Sequence, residues 1–201
     1  METNQSIWEQ IANRYDTDHT INVANSILQA VHSELTDTKG KSALDYGCGT
    51  GLIGLGLTDL FQSILLVDPS AQMIEQVKQK IEAKHIKRAS TMCCDFLEQI
   101  PSGLQADYVI MSQVLLHIKN SRLILSRLYD VLKTGGHLLV IDFDKNPNIT
   151  SELVHNGFEQ KELIQLLKEI GFSAAKARTF YEGKRIFMNT DASMFLLNAT
   201  K

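Results

Sequence analysis

The chain has 201 residues, 44% of them hydrophobic and 21% charged, a net charge of −3 and three cysteines. Its length supports a sizeable core as one domain, and the weak charge with no Lys/Arg stripe leaves no electrostatic footprint for nucleic acid. No stretch approaches the roughly 18 apolar residues of a membrane span.

The start Met-Glu-Thr-Asn-Gln-Ser has neither a basic nor an apolar segment of the signal-peptide kind. Cys48, Cys93 and Cys94 form no CxxC and no disulfide framework. Both readings predict a cytoplasmic protein without a membrane partner. Lys78, Lys80, Lys84, Lys87 and Arg88 are interleaved with Glu75 and Glu82, as on a solvated helix face.

In chain order, residues 6–15 and 20–36 read as two helices, with Ile7, Trp8 and Ile11 and then Ile21, Val23, Ala24, Ile27, Leu28, Val31 and Leu35 at helical spacing. A strand over 42–46 runs into a glycine-rich turn and a helix over 52–61. A second strand, 63–67, ends at Asp68, and a helix follows over 70–84 with Ser70 as its N-cap. Strands are predicted over 91–94, closing on Asp95, and over 107–111. A helix over 120–132 is stopped by Gly135-Gly136 before a strand over 137–143. A helix over 159–170 closes on Gly171. The tail, 174–199, alternates as a final pair of strands. Strand–helix alternation predicts a doubly wound α/β sheet. The last two strands have no helix between them, which predicts an antiparallel addition at the sheet edge.

The richest segment is Ala43-Leu-Asp-Tyr-Gly-Cys-Gly-Thr-Gly-Leu-Ile-Gly54. Glycines at a strand-to-helix turn let backbone press against a ligand that a Cβ would push away. Two registers compete. Gly49-x-Gly51-x-x-Gly54 has the form of a dinucleotide fingerprint, and Asp68 stands about 20 residues on, where a ribose-binding acid belongs. The other register is Asp45-x-Gly47-x-Gly49-x-Gly51, with an acid before the first glycine. A carboxylate there would repel a pyrophosphate. It would attract the ammonium group of S-adenosylmethionine, which carries no phosphate. The charge pattern therefore favours S-adenosylmethionine over NAD(P).

At this point the sequence resembles the class I S-adenosylmethionine-dependent methyltransferases, particularly the small type 11/12 and ubiquinone-methylase-like enzymes. Leu44–Gly51 is similar to their first motif and Val67–Met73 to their second. Cys94-Asp95-Phe96 falls at their adenine contact, Asp107–Ile118 resembles the fourth motif, and Leu132–Gly136 the segment after it. The resemblance implies one methyltransferase domain over 1–201. It comprises a Rossmann-like, mostly parallel seven-stranded sheet over 42–201, with an antiparallel final strand, and a helical lid over 1–36.

Roles follow residue by residue. Gly47, Gly49 and Gly51, with Cys48 as a small filler among them, would admit the methionine and ribose portions. Asp45 would face the amino group and Asp68 both ribose hydroxyls. Pro69 or Met73 would pack on adenine. Asp95 would accept from its amino group, and the Phe96 amide would donate to the ring. Ser112 and Gln113 would border the sulfonium, and Arg14 and Tyr15 would belong to the lid.

The implied reaction is in-line methyl transfer, with S-adenosylhomocysteine as product. A base is needed only for a protic acceptor. His117, just past the fourth strand, and His155, in the loop after the fifth, are the candidates. Asp142-x-Asp144-x-Asn146 fails as a calcium loop, with Pro147 at its sixth position and Leu153 at its twelfth, so no metal is expected. The small cap suits a small-molecule acceptor and a monomer or homodimer. An NAD(P)-dependent oxidoreductase and a non-catalytic S-adenosylmethionine binder are the alternatives.

Overall fold

The computed structural model describes residues 9–201. Of the helix expected over 6–15, residues 9–11 are helical and continue into a 3-10 turn, Ala12–Arg14; Ile7 and Trp8 lie outside the described residues. The elements that follow are α1 (Asp18–Glu34), β1 (Ser42–Tyr46), β2 (Ser63–Asp68), α2 (Ala71–Ala83), β3 (Ala89–Cys93) and β4 (Ala106–Ser112). After them come α3 (Ser121–Val131), β5 (Leu132–Phe143), α4 (Gln160–Ile170), β6 (Ala174–Phe187) and β7 (Thr190–Thr200).

α1 begins at a capping box, in which the Thr17 side chain accepts from the Thr20 amide and the Thr20 hydroxyl accepts from the Thr17 amide. Ser70 caps α2 through the Met73 amide. Gly171 closes α4 at φ +125°.

The seven strands form one sheet in the order β3-β2-β1-β4-β5-β7-β6. The first five are parallel, in register Leu44 to Leu65 and Leu44 to Val109. β7 is antiparallel to both of its neighbours. The β7–β6 pair is the antiparallel addition expected at the sheet edge, with β7 as its inner strand and β6 outermost. Burial explains the placement: Met194–Leu197 are all buried, as a central strand requires, whereas β6 alternates with exposed positions and forms the edge.

Side chains alternate across the sheet with period two. Ala43, Tyr108, Ile110, Leu139 and Ile141 join one core with α1 and with Ile74 and Val77 of α2. Leu44, Val109, Met111, Leu138 and Val140 join the other, with α3 and α4.

Two expectations change. The helix over 52–61 is only a 3-10 turn, Gly54–Leu57. Gly54 and Gly56 weaken helix propagation there. The absent side chain of Gly54 is also required, because a Cβ would lie 2.6 Å from the Asp45 carboxylate. The other change is at Gly135-Gly136, which lies within β5 rather than in a loop before it. α3 ends at Val131, Leu132 pairs with Ala106, and Gly135 turns at φ +73° to donate to the carbonyl of Lys201.

Candidate active site

The parallel strands end together on one side of the sheet, and the glycine turn after β1 is built against β2. The amides of Gly47 and Cys48 both donate to the Val67 carbonyl, at 2.8 and 3.0 Å. The Gly49 amide donates to Asp68 Oδ2 at 2.9 Å, and Asp68 Oδ1 accepts from the Ser70 amide at 2.9 Å. Asp68 therefore fixes the turn as well as facing the cavity. Gly47 sits at φ +71°, and a Cβ there would lie 2.3 Å from Val114. Gly49, at φ +52°, would place a Cβ in open space.

A cavity of about 420 Å³ opens above this turn, a volume usual for small-ligand sites. Its lining brings together Tyr15, Asp45, Gly47, Cys48, Gly49, Asp68, Pro69, Met73, Asp95, Ser112, Gln113 and His117. Four expected residues stand elsewhere. Arg14 is exposed outside the lining, and Gly51 packs toward Leu55 and Val77. The Phe96 ring is fully buried in the second core, stacked on Tyr46 at 4.8 Å. His155 holds its loop to the turn after β4: its amide donates to the Leu116 carbonyl, and its Nε2 lies 2.8 Å from the Ile118 carbonyl. An Nε2–H pointed at that oxygen occupies one ring nitrogen in structure.

The three acids come from adjacent strands but differ in setting. Asp45 is 1% exposed, and its Oδ2 accepts from the Gly54 amide at 2.9 Å. Burial raises its pKa to about 7, the Gly54 bond opposing and Asp68 adding to the shift. Burial also raises Asp68, against its two amide bonds. Asp95 accepts from the Leu97 amide at 2.8 Å and from the Tyr46 hydroxyl at 3.4 Å.

His117 ends the 3-10 turn Leu115–His117, and burial lowers its pKa to about 4, so its imidazole is neutral at physiological pH. The turn is tied down by Asp142 of β5, fully buried, whose Oδ2 accepts from the Leu116 amide at 3.1 Å and Oδ1 from the Phe143 amide at 2.8 Å. Burial raises Asp142 to about 7 against these bonds.

The described N-terminal segment is tied to the glycine turn and to α2. Asp16 takes the Thr50 hydroxyl on Oδ1 and the Lys80 ammonium on Oδ2, both at 2.5 Å, and Lys80 also donates to the Thr50 carbonyl at 2.7 Å. Asn13 accepts from Gln76 and Glu9 from the Ala71 amide. Sequence reasoning passed over His19 and Thr20, which line the cavity with Val23, Ala24 and Ile27. The signal was present, since 19, 20, 23, 24 and 27 share one helical face. Ile186, near the tip of the β6–β7 hairpin, also lines it, and no local pattern could have found it.

Known proteins can now be compared. An uncharacterized methyltransferase of Schizosaccharomyces pombe is 27% identical over 182 residues, 81% of this chain and 64% of that one. The mitochondrial ubiquinone biosynthesis O-methyltransferase of Rattus norvegicus is 31% identical over 109 residues, 53% of this chain and 32% of its own. The chain thus spans less than two thirds of the length of these curated relatives. Phosphoethanolamine N-methyltransferase 2 of Haemonchus contortus, solved with S-adenosyl-L-methionine, superposes with a TM-score of 0.73 at 17% identity, over 96% of this chain and 60% of that one. Residues 37–188 match the family described as Methyltransferase domain, and the chain belongs to that family and has the class I S-adenosylmethionine-dependent methyltransferase fold.

Proposed function

We propose that the protein binds S-adenosylmethionine in this cavity and transfers its methyl group to a small-molecule acceptor. The observation that carries the reading is the set of carboxylates Asp45, Asp68 and Asp95, at the ends of three adjacent strands around the glycine turn, with no Lys or Arg among the described lining residues. Such a lining suits a phosphate-free, cationic ligand and opposes a pyrophosphate. The space beside Gly49 admits a ligand against backbone. Gly54, the last glycine of the dinucleotide register, makes room for Asp45, which weakens the support that register lends to NAD(P).

On this reading Asp68 would accept from the ribose diol and Asp95 from the adenine amino group, with Pro69 and Met73 against the base. Asp45 would draw the ammonium end. When bound, the cofactor supplies a methyl group already activated on sulfur. The chain's part is orientation, and proton removal where the acceptor is protic. His117, on the cavity wall, would take that proton, against the burial that disfavours its imidazolium. Residues 1–36 would act as the lid and 42–201 as the core.

Calorimetric titration with S-adenosylhomocysteine and with NADH tests the assignment. Binding of the first and none of the second is expected; the opposite pattern overturns it. Methyl transfer to some member of a metabolite pool separates an enzyme from a binder.

A further inference from the structure

The cavity has two chemically different halves. Asp45 and Asp68 belong to β1 and β2, and Asp95 follows the end of β3, at one side of the sheet. The other half is walled by Val23, Ala24 and Ile27 of α1, by Val114 and Ile118 around the turn after β4, and by Ile186 from the edge hairpin. Apart from the glycine turn and the acids, the polar groups of the lining are uncharged: the hydroxyls of Tyr15, Thr20 and Ser112, the Gln113 amide and the imidazoles of His19 and His117. Among the described residues none of the lining of this other half is a lysine, arginine or carboxylate, and residues 1–8 contain no Lys or Arg. Lys119 and Arg185, next in sequence to Ile118 and Ile186, are exposed and do not line the cavity.

Resting on the methyl-transfer reading, we infer that this half selects an uncharged acceptor with an apolar body and one protic nucleophile, a phenol, alcohol or thiol. Two physical costs enforce the choice. A phosphate or carboxylate would enter without a counter-charge, in a cavity already lined by three acids. A cationic ammonium would leave water for aliphatic walls that hold no carboxylate to receive it. An apolar body gains from the same walls, which comprise five branched aliphatic side chains and Ala24. Ile186 is the position where charge selection can be rewritten, because it comes from a half-buried hairpin residue rather than from the central core.

The test uses matched probes on protein loaded with S-adenosylhomocysteine, so that loading reports on the cofactor assignment before any acceptor is added. Failure to load overturns the cofactor assignment. The probes are a 4-alkylphenol, the corresponding aryl phosphate, the 4-alkylbenzoate and the 4-alkylbenzylammonium, each followed by calorimetry. We expect the phenol to bind at least tenfold tighter than any charged member. Ile186→Lys should bring the benzoate level with the phenol or above it, while Ile186→Ala keeps the original order. A charged member binding as tightly as the phenol in the unaltered protein, or no phenol binding at millimolar concentration to loaded protein, overturns the inference.

Discussion

At the residue scale, the carboxylates divide labour according to what their oxygens already hold. Asp68 serves both the Gly49 amide and the site, so its replacement tests loop and ligand together. Asp68→Asn keeps one acceptor oxygen and loses the charge. Charge-assisted hydrogen bonds are worth about 1.5–3 kcal/mol, so S-adenosylhomocysteine affinity should fall about 10- to 100-fold. Unchanged affinity in calorimetry would remove Asp68 from the site.

Asp142 makes a pH prediction. Its pKa is raised to about 7 in the fold, from 3.8. The native state therefore holds the extra proton between those values, and this group's contribution to stability falls as pH rises from about 4 through about 7. Asp142→Asn cannot titrate. It loses one of the two amide bonds at every pH. Relative to the unaltered protein, its melting temperature should improve on going from pH 5 to pH 8, on the order of several degrees. A pH-independent difference would refute the shift.

At the element scale, the glycine turn holds two kinds of glycine. At Gly47 an added methyl meets Val114 at 2.3 Å and the φ is positive, so Gly47→Ala should cost about 2–4 kcal/mol in urea unfolding. At Gly49 the methyl meets nothing within 4 Å. Gly49→Ala should cost only about 1–2 kcal/mol of backbone strain yet sharply weaken S-adenosylhomocysteine binding, because the methyl enters the cavity. The N-terminal segment is held differently. The Asp16–Lys80 pair is about a quarter to a third exposed, so Lys80→Ala should change stability by no more than about 1 kcal/mol. Its effect should appear as faster amide exchange over residues 9–17. Unaltered exchange there would mean that the pair does not hold this segment.

At the scale of the whole molecule, the sheet order brings the ends of β1, β2, β3 and β4 together with α1 and the edge hairpin, so one cavity joins segments far apart in the chain. Ligand binding should couple to global stability. At 100 times its Kd, S-adenosylhomocysteine should add about 2.7 kcal/mol to unfolding, measured as a rise in urea midpoint. The absence of a rise at saturation would place binding outside the folded cavity.

Much of this was legible in the linear chain. The Asp45–Gly51 motif, the strand-end acids Asp68 and Asp95, and the helix-free final strands sufficed for fold class and for most of the cavity, because each is a local pattern imposed by backbone geometry. What a non-local contact decides was not legible. β7 enters the sheet between β5 and β6 because its buried residues need partners on both sides. Residues 52–61 hold only a 3-10 turn, Gly54–Leu57, where glycine is required at 54 by the Asp45 carboxylate and weakens the helix. His155 turns to a backbone carbonyl 37 residues away. The sequence by itself determined the carboxylate side of the cavity, which is written in contiguous motifs. Only the tertiary structure decided the apolar side, because its walls come from α1, the turn after β4 and a hairpin tip that meet only when the sheet closes.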